Sequence, residues 1–196
     1  KLGTNLKKDK LIFREKDNQF GLSISLSRTK KYLLLQASKT ESNETWFLDL
    51  EEKNSNFVFF LKRKNKHLYY IDDTPNKFFI LSNKKNQKNF ALYESDLTKV
   101  SELDWKLIVA HKNSELIEDF LCFENFIILE IRKKGLPCLV QIDKRNNKRK
   151  LIEFDDEAYS VSLSTNNNYK ARSFSFVYSS LKSPSTIYSQ DLYTKK

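Results

Sequence analysis

The stretch LVQIDKRNNKRK, residues 139–150, closes an apolar run with Asp143 and then turns abruptly basic. Taken alone, it reads equally well as a nucleic-acid contact or as the turn between two strands. Recurrence decides between the two. WFLDLEEKN, LYESDLTK and IYSQDLYTK repeat the motif, so that Asp49, Asp96, Asp143 and Asp191 follow one another at spacings of 47, 47 and 48 residues. The runs before them, KYLLLQAS, KFFILSN, FIILEIRK and SFSFVYSS, place Tyr32, Phe78, Phe126 and Phe174 at spacings of 46, 48 and 48. Two markers sharing one period of about 40 to 50 residues are the signature of a propeller or a repeat array.

Each unit supplies several short apolar runs. First strands are read at FGLSISL, HLYYID, IEDFLCF and YSVSLS, and outer strands at FVFFLK, WKLIVA and LIEF, with the two aligned runs between them. Helical periodicity is scarce; short aromatic and β-branched runs separated by polar clusters are the pattern of antiparallel strands. With only three glycines in the chain, SRTK, DTPN, KKNQK, KRNNK and TNNN must supply the turns. The basic burst therefore occupies a turn position. The second strands, as in LLLQA and FIILEI, are apolar on both faces, which stacking between neighbouring sheets requires.

The fold expected is all-β: a partial β-propeller of about four blades, each a four-stranded antiparallel meander. DKLIFREKD reads as the outer strand of a preceding blade, making residues 1–19 its remnant. Blades are expected over 20–66, 67–116 and 117–159, with an incomplete blade over 160–196 that has no outer strand.

A 196-residue chain that is 39% hydrophobic and 13% aromatic has the composition of a folded domain. No apolar run is long enough to span a bilayer, and KLGTNLKKDK lacks a following apolar region, so neither membrane span nor signal peptide is expected and a cytoplasmic location is. Methionine is absent even at position 1, so residue 1 is not expected to be a natural translation start. The formal charge of +10 comes from lysines scattered through nearly every polar segment rather than from one stripe. FLKRKNKH (60–67) and DKRNNKRK (143–150) are the densest positive stretches. Both are expected as solvated loops on surfaces apart from the buried aromatics, so nucleic acid is not an expected partner.

Catalytic chemistry finds little to build on. A strained nucleophile elbow needs GxSxG, and the nearest string, GLSIS around Ser23, has Ser25 in place of the second glycine. His67 and His111, each beside lysine at one end of a strand, are expected to be exposed or at an edge. The pairs Asp72–Asp73, Glu118–Asp119 and Asp155–Asp156 are candidates for holding a cation or for acid–base work, and are expected instead as solvated turn formers at strand ends. Cys122 and Cys138 have no CxxC spacing and fall on the first and third strands of one blade, so they are expected to be reduced and unbridged. No catalytic, metal, cofactor or substrate-channel residue is assigned.

In colinear order, KLGT, DKLIFREKD, SISLSRTKKYLLLQAS, LYYIDD, FFILSNKKNQKNFALY, LIEDFLCFENFIILEIRKKGL and FVYSSLKSPSTIYSQDL resemble the propeller of the prolyl oligopeptidase family of serine peptidases, in its oligopeptidase B (protease II) branch. The resemblance implies a seven-bladed propeller capping an α/β-hydrolase domain, a tunnel that admits short peptides, and cleavage after Lys or Arg. It also implies the partners: the remainder of the propeller, the hydrolase domain, and short basic peptides that an acidic channel mouth would attract. One departure is Asp72–Asp73, where the branch usually has an Asp-His pair. No catalytic residue of the family falls within the matched region. The implied function is substrate gating by a peptidase propeller; the alternative is a stand-alone basic propeller fragment serving as a protein- or nucleic-acid-interaction module.

Overall fold

In the computed structural model, which describes residues 3, 5, 7 and 9–194, the chain forms four consecutive antiparallel sheets. The first contains β1 (Gly21–Leu26), β2 (Tyr32–Lys39), β3 (Ser42–Asp49) and β4 (Val58–Leu61). The second contains β5 (Tyr69–Asp73), β6 (Lys77–Ser82), β7 (Ala91–Asp96) and β8 (Lys106–Val109). The third contains β9 (Glu115–Cys122), β10 (Phe126–Lys133), β11 (Leu136–Asp143) and β12 (Arg149–Ile152). The fourth stops at three strands, β13 (Tyr159–Leu163), β14 (Ser173–Ser180) and β15 (Thr186–Asp191). Every sheet is a sequential meander, so the molecule is a partial β-propeller.

The turns work without glycine because other residues accept left-handed backbone. Lys30, Lys66, Lys85, Asn86 and Asn147 all have φ between 55° and 65°. In the basic burst, Asp143 accepts the Arg145 amide at 2.9 Å and its guanidinium at 2.6 Å, which closes the turn. Asn147 takes φ 57°, and β12 then begins at Arg149, two residues before the run LIEF. The burst is thus a turn plus the first residues of an outer strand.

Three apolar interfaces hold the sheets face to face. Tyr32, Phe60, Tyr69, Phe78 and Trp105 fill the first, between sheets one and two. Phe79, Leu81, Ile127, Leu129 and Val140 fill the second. Phe126, Ile128, Leu139, Phe174 and Phe176 fill the third. Both faces of β6 and β10 are consumed in this way, which explains their unbroken apolar runs.

The shared period sets Tyr32, Phe78, Phe126 and Phe174 at equivalent positions by expectation, and this needs a correction. All four marker residues are buried between sheets, yet they are not equivalent. Tyr32 and Phe126 pair with Asp49 and Asp143, whereas Lys77 and Ser173 pair with Asp96 and Asp191. Phe78 and Phe174 stand one residue along, and a one-residue offset in a strand reverses the face. Tyr32 and Phe126 therefore look toward the following sheet, and Phe78 and Phe174 toward the preceding one.

A second correction concerns DKLIFREKD, which forms no strand. An outer strand needs a ladder partner, and none among the described residues lies beside it. The segment instead lies against the outward face of the first sheet, with Phe13 edge-on to Trp46 at 4.6 Å and Glu15 bonded to Arg63 at 2.7 Å. Cys122 and Cys138 are free and buried on β9 and β11, with β10 between them and partners four residues apart, Ile127 and Ile131.

Candidate functional site

The first strands of the four sheets end at Leu26, Asp73, Cys122 and Leu163, and the segments that follow gather around Arg28. Arg28 Nε donates to Asp72 Oδ2 at 2.6 Å, and its Nη1 donates to the Asn166 carbonyl. The guanidinium also lies 5.8 Å from the centre of the Phe123 ring. One side chain of the first sheet thus reaches the second, third and fourth. Its far anchor is itself fixed: Asn166 Nδ2 donates to Ser164 O at 2.6 Å and Ser175 O at 2.9 Å, and Oδ1 accepts from Ser175 N at 2.7 Å.

Asp73 clasps the same turn from below. It accepts from Ser27 Oγ at 2.9 Å, from the Thr29 amide at 2.9 Å and from the Thr29 hydroxyl. Neither Asp72 nor Asp73 is the solvated turn former expected, because the β1–β2 turn covers both and supplies their donors. Burial pushes the Asp72 carboxyl above its ordinary value, although Arg28 pulls the other way. Asp119 and Glu130, paired across β9 and β10, are raised as well by desolvation among their neighbours, although Asp119 is exposed and Glu130 is half-buried. Glu130 accepts the Leu163 amide at 2.7 Å. Beside this group opens a cleft of about 360 Å³, lined by Leu26, Arg28, Asp72, Leu121 and Asn166. Chemically it is a charged, cross-braced cluster. Its polar groups are committed to holding the strand ends in place.

The other flagged residues take structural places. Ser23 is exposed on β1, inside an ordinary strand with no elbow. His67 is buried, contrary to the expectation of an exposed ring, because the start of the second sheet is overlaid by the first: the Asn43 amide donates to the His67 carbonyl at 3.4 Å. Its Nε2 is 2.8 Å from Ser82 Oγ, a serine–histidine contact. Ser82 is fully buried and already accepts the Lys84 amide at 3.1 Å, so its oxygen is closed to any substrate. His111 lies just past β8, half-buried. Glu118 bonds Arg132 at 3.0 Å; Asp156 accepts from Tyr178 Oη at 2.7 Å and is 3.4 Å from Lys182; Asp155 is exposed.

Cations and aromatics were expected on separate surfaces, and the structure brings them together. Arg63 covers the Phe20 ring at 4.0 Å, Lys62 the Phe59 ring at 5.2 Å and Arg145 the Phe126 ring at 5.5 Å. Long basic side chains lie with their stems along the apolar edges of the sheets, which puts their charges over ring faces. The Arg28 cluster escaped sequence reading for a related reason: Arg28 and Asn166 lie far apart in the chain, and only the convergence of four strand ends joins them.

Comparison with known proteins places this architecture. The family profile described as "Prolyl oligopeptidase, N-terminal beta-propeller domain" matches residues 1–196. The chain is 27% identical over 187 residues to Dipeptidyl aminopeptidase BI of Pseudoxanthomonas mexicana, covering 95% of this chain and 26% of that protein. It is 26% identical over 195 residues to Protease 2 of Moraxella lacunata, covering 99% of this chain and 27% of that one. Oligopeptidase B from Trypanosoma brucei superposes with a TM-score of 0.89 at 20% identity, over 100% of this chain and 29% of that one. Oligopeptidase B from Leishmania major gives 0.88 at 18% identity, over 97% and 28%. The chain thus spans about a quarter of the length of the curated relatives it matches.

Proposed function

Because the chain belongs to the prolyl oligopeptidase family, as N-terminal β-propeller sequence, we propose that it restricts access of short peptides to a serine-peptidase centre, with cleavage after Lys or Arg. The observation that carries the reading is the Arg28 cluster, in which one guanidinium braces the ends of four first strands. A brace of that kind suits a part whose task is to exclude large substrates while staying rigid. The acidic neighbours Asp72, Asp119 and Glu130 favour entry of basic over acidic peptides.

In this reading residues 1–19 are the remnant of a preceding blade, and 20–66, 67–116, 117–159 and 160–196 are successive blades of a seven-bladed ring. The remaining blades and an α/β-hydrolase domain complete the enzyme. Two unpaired buried thiols support a reducing, cytoplasmic setting. The reading is favoured over an interaction module because the chain's own cations already lie over many of its ring faces, leaving few for stacking on bases.

The test has two arms. The purified 196-residue chain, incubated with a serine-directed fluorophosphonate and a Lys/Arg fluorogenic peptide, is expected to show neither labelling nor turnover. In a polypeptide that joins this chain to a hydrolase domain, Arg28→Ala is expected to raise the rate on peptides near the length limit while leaving a dipeptide substrate unchanged. Stoichiometric labelling of the isolated chain, or an unaltered length profile in Arg28→Ala, overturns the proposal.

A further inference from the structure

Away from the Arg28 cluster, a cleft of about 500 Å³ opens between the second and third sheets. Its size falls in the range of small-molecule sites, roughly 300 to 1,000 Å³. Leu107, Ile108 and Tyr169 present apolar surface to it, while Phe79, Ile127 and Ile142 are each 6% exposed or less. Three ammonium groups from three separate elements line it: Lys77 on β6, Lys106 on β8 and Lys144 just past β11. Against them stands Glu94, 2.6 Å from Lys77 Nζ and 3.7 Å from Lys106 Nζ.

Lys144 differs from the other two. It is half-buried and makes no ion pair with any carboxylate among the described residues. Its Nζ donates to the Phe123 carbonyl at 2.8 Å and lies between the Phe79 ring, 5.5 Å away, and the Tyr169 ring, 5.6 Å away. An ammonium has three N–H donors, and one of them is used. Burial lowers its pKa, with Lys77 adding to the effect and Glu94 and Glu124 opposing it. A cation taken partly out of water, with donors to spare and an apolar wall beside it, is half of a binding site.

We propose that this cleft binds a small molecule with an anionic head, phosphoryl or carboxylate, on a flat apolar body: the head on Lys144 and Lys106, the body against Leu107, Ile108 and the Tyr169 ring. The cavity is too small and too concave for a nucleic-acid duplex. The ligand contacts lie apart from the residues of the peptidase reading, although Lys144 is anchored on the carbonyl of Phe123, whose ring Arg28 faces.

Calorimetric titration of the purified protein with phenyl phosphate, benzoate and inorganic phosphate tests the assignment. Phenyl phosphate is expected to bind about tenfold more tightly than inorganic phosphate, since the body adds buried apolar area. Phenyl phosphate and benzoate compared with each other identify the preferred head group. Lys144→Gln is expected to weaken binding by about tenfold, and Lys106→Gln, on an exposed side chain where folding is not at stake, by about threefold. Lys53→Gln, the same charge change on the exposed β3–β4 turn, is expected to match the unmodified protein. Equal affinity for phenyl phosphate and inorganic phosphate, equal weakening by Lys53→Gln and Lys106→Gln, or no saturable binding at all would overturn the proposal.

Discussion

The rings of Tyr32 and Phe78 meet across the boundary between the first two sheets, with centroids 5.3 Å apart, although the two residues face opposite directions along the repeat. Phe78 is 1% exposed and also touches Phe47 and Phe60, at 5.7 Å and 5.2 Å. Truncating it opens a cavity among three rings. Phe78→Ala is expected to lower unfolding stability by about 3 to 5 kcal/mol, and Phe59→Ala, on a partly exposed ring, by under about 1.5 kcal/mol. Urea titrations of the two variants check the contrast. Phe126→Ala should add its own loss independently of Phe78→Ala, because it lies in a different interface.

Arg28 and Asp72 form an ion pair that is nearly closed to solvent, with side-chain exposures of 9% and 14%. Breaking such a pair from one side leaves an uncompensated charge in a poorly hydrated place. Arg28→Met is expected to lower stability by about 3 kcal/mol, and adding Asp72→Asn to recover at least half of that, because the orphaned carboxylate is then gone. A double-mutant cycle by chemical denaturation reads the coupling. Strict additivity of the two losses would show that the pair is not the brace described above.

Much of this architecture was legible from one period. Asp49, Asp96, Asp143 and Asp191 mark the ends of third strands because a meander must turn there, and a turn favours a short acceptor side chain such as that of Asp143. The offset at Phe78 and Phe174 was not legible, since the longer connections that pair Lys77 with Asp96 and Ser173 with Asp191 leave composition unchanged while moving each aromatic one residue off the paired position, to the other face. DKLIFREKD shows the opposite failure: its apolar pattern suits a strand, but pairing depends on a neighbour that a local pattern does not report. The Arg28 cluster was invisible for a third reason. Asp72–Asp73 looked like any acidic pair at a strand end, and nothing local distinguishes a carboxylate facing water from one covered by a turn 44 residues earlier in the chain.

His67 carries a pH signature. Burial holds its ring below the ordinary histidine value, with Lys64 and Lys84 acting in the same direction and Glu102 against it. A depressed histidine binds its proton more readily in the unfolded chain, so the stability it contributes is present above about pH 6.5 and is lost as pH falls toward the folded value. Asp72, Asp119 and Glu130, whose values are raised, work in the opposite sense on acidification, equally in the unmodified protein and in a His67 variant. The difference between the two isolates the histidine. His67→Gln is expected to show a shallower fall in urea midpoint between pH 7 and about pH 5.5. Parallel curves would place the neutral imidazole outside the folding balance.

The two outward faces of the chain carry the last prediction. On the first sheet, Leu22, Ile24 and Leu26 project from β1 with exposures of 47%, 60% and 54%. On the fourth, β15 has an unpaired edge, and Ile187 is 68% exposed on the side away from the third sheet. Unpaired strands and apolar sheet faces are places where chains add to one another. The two faces differ, so a contact between them is head-to-tail and does not close after two copies. The isolated chain is therefore expected to form a concentration-dependent series of oligomers rather than a discrete dimer. Ile24→Lys and Ile187→Lys lie on opposite partners of that contact, and each alone is expected to reduce association to a similar degree. Sedimentation velocity over a range of concentrations distinguishes the cases: a single dimer species, or association untouched by both substitutions, would show that these faces do not meet.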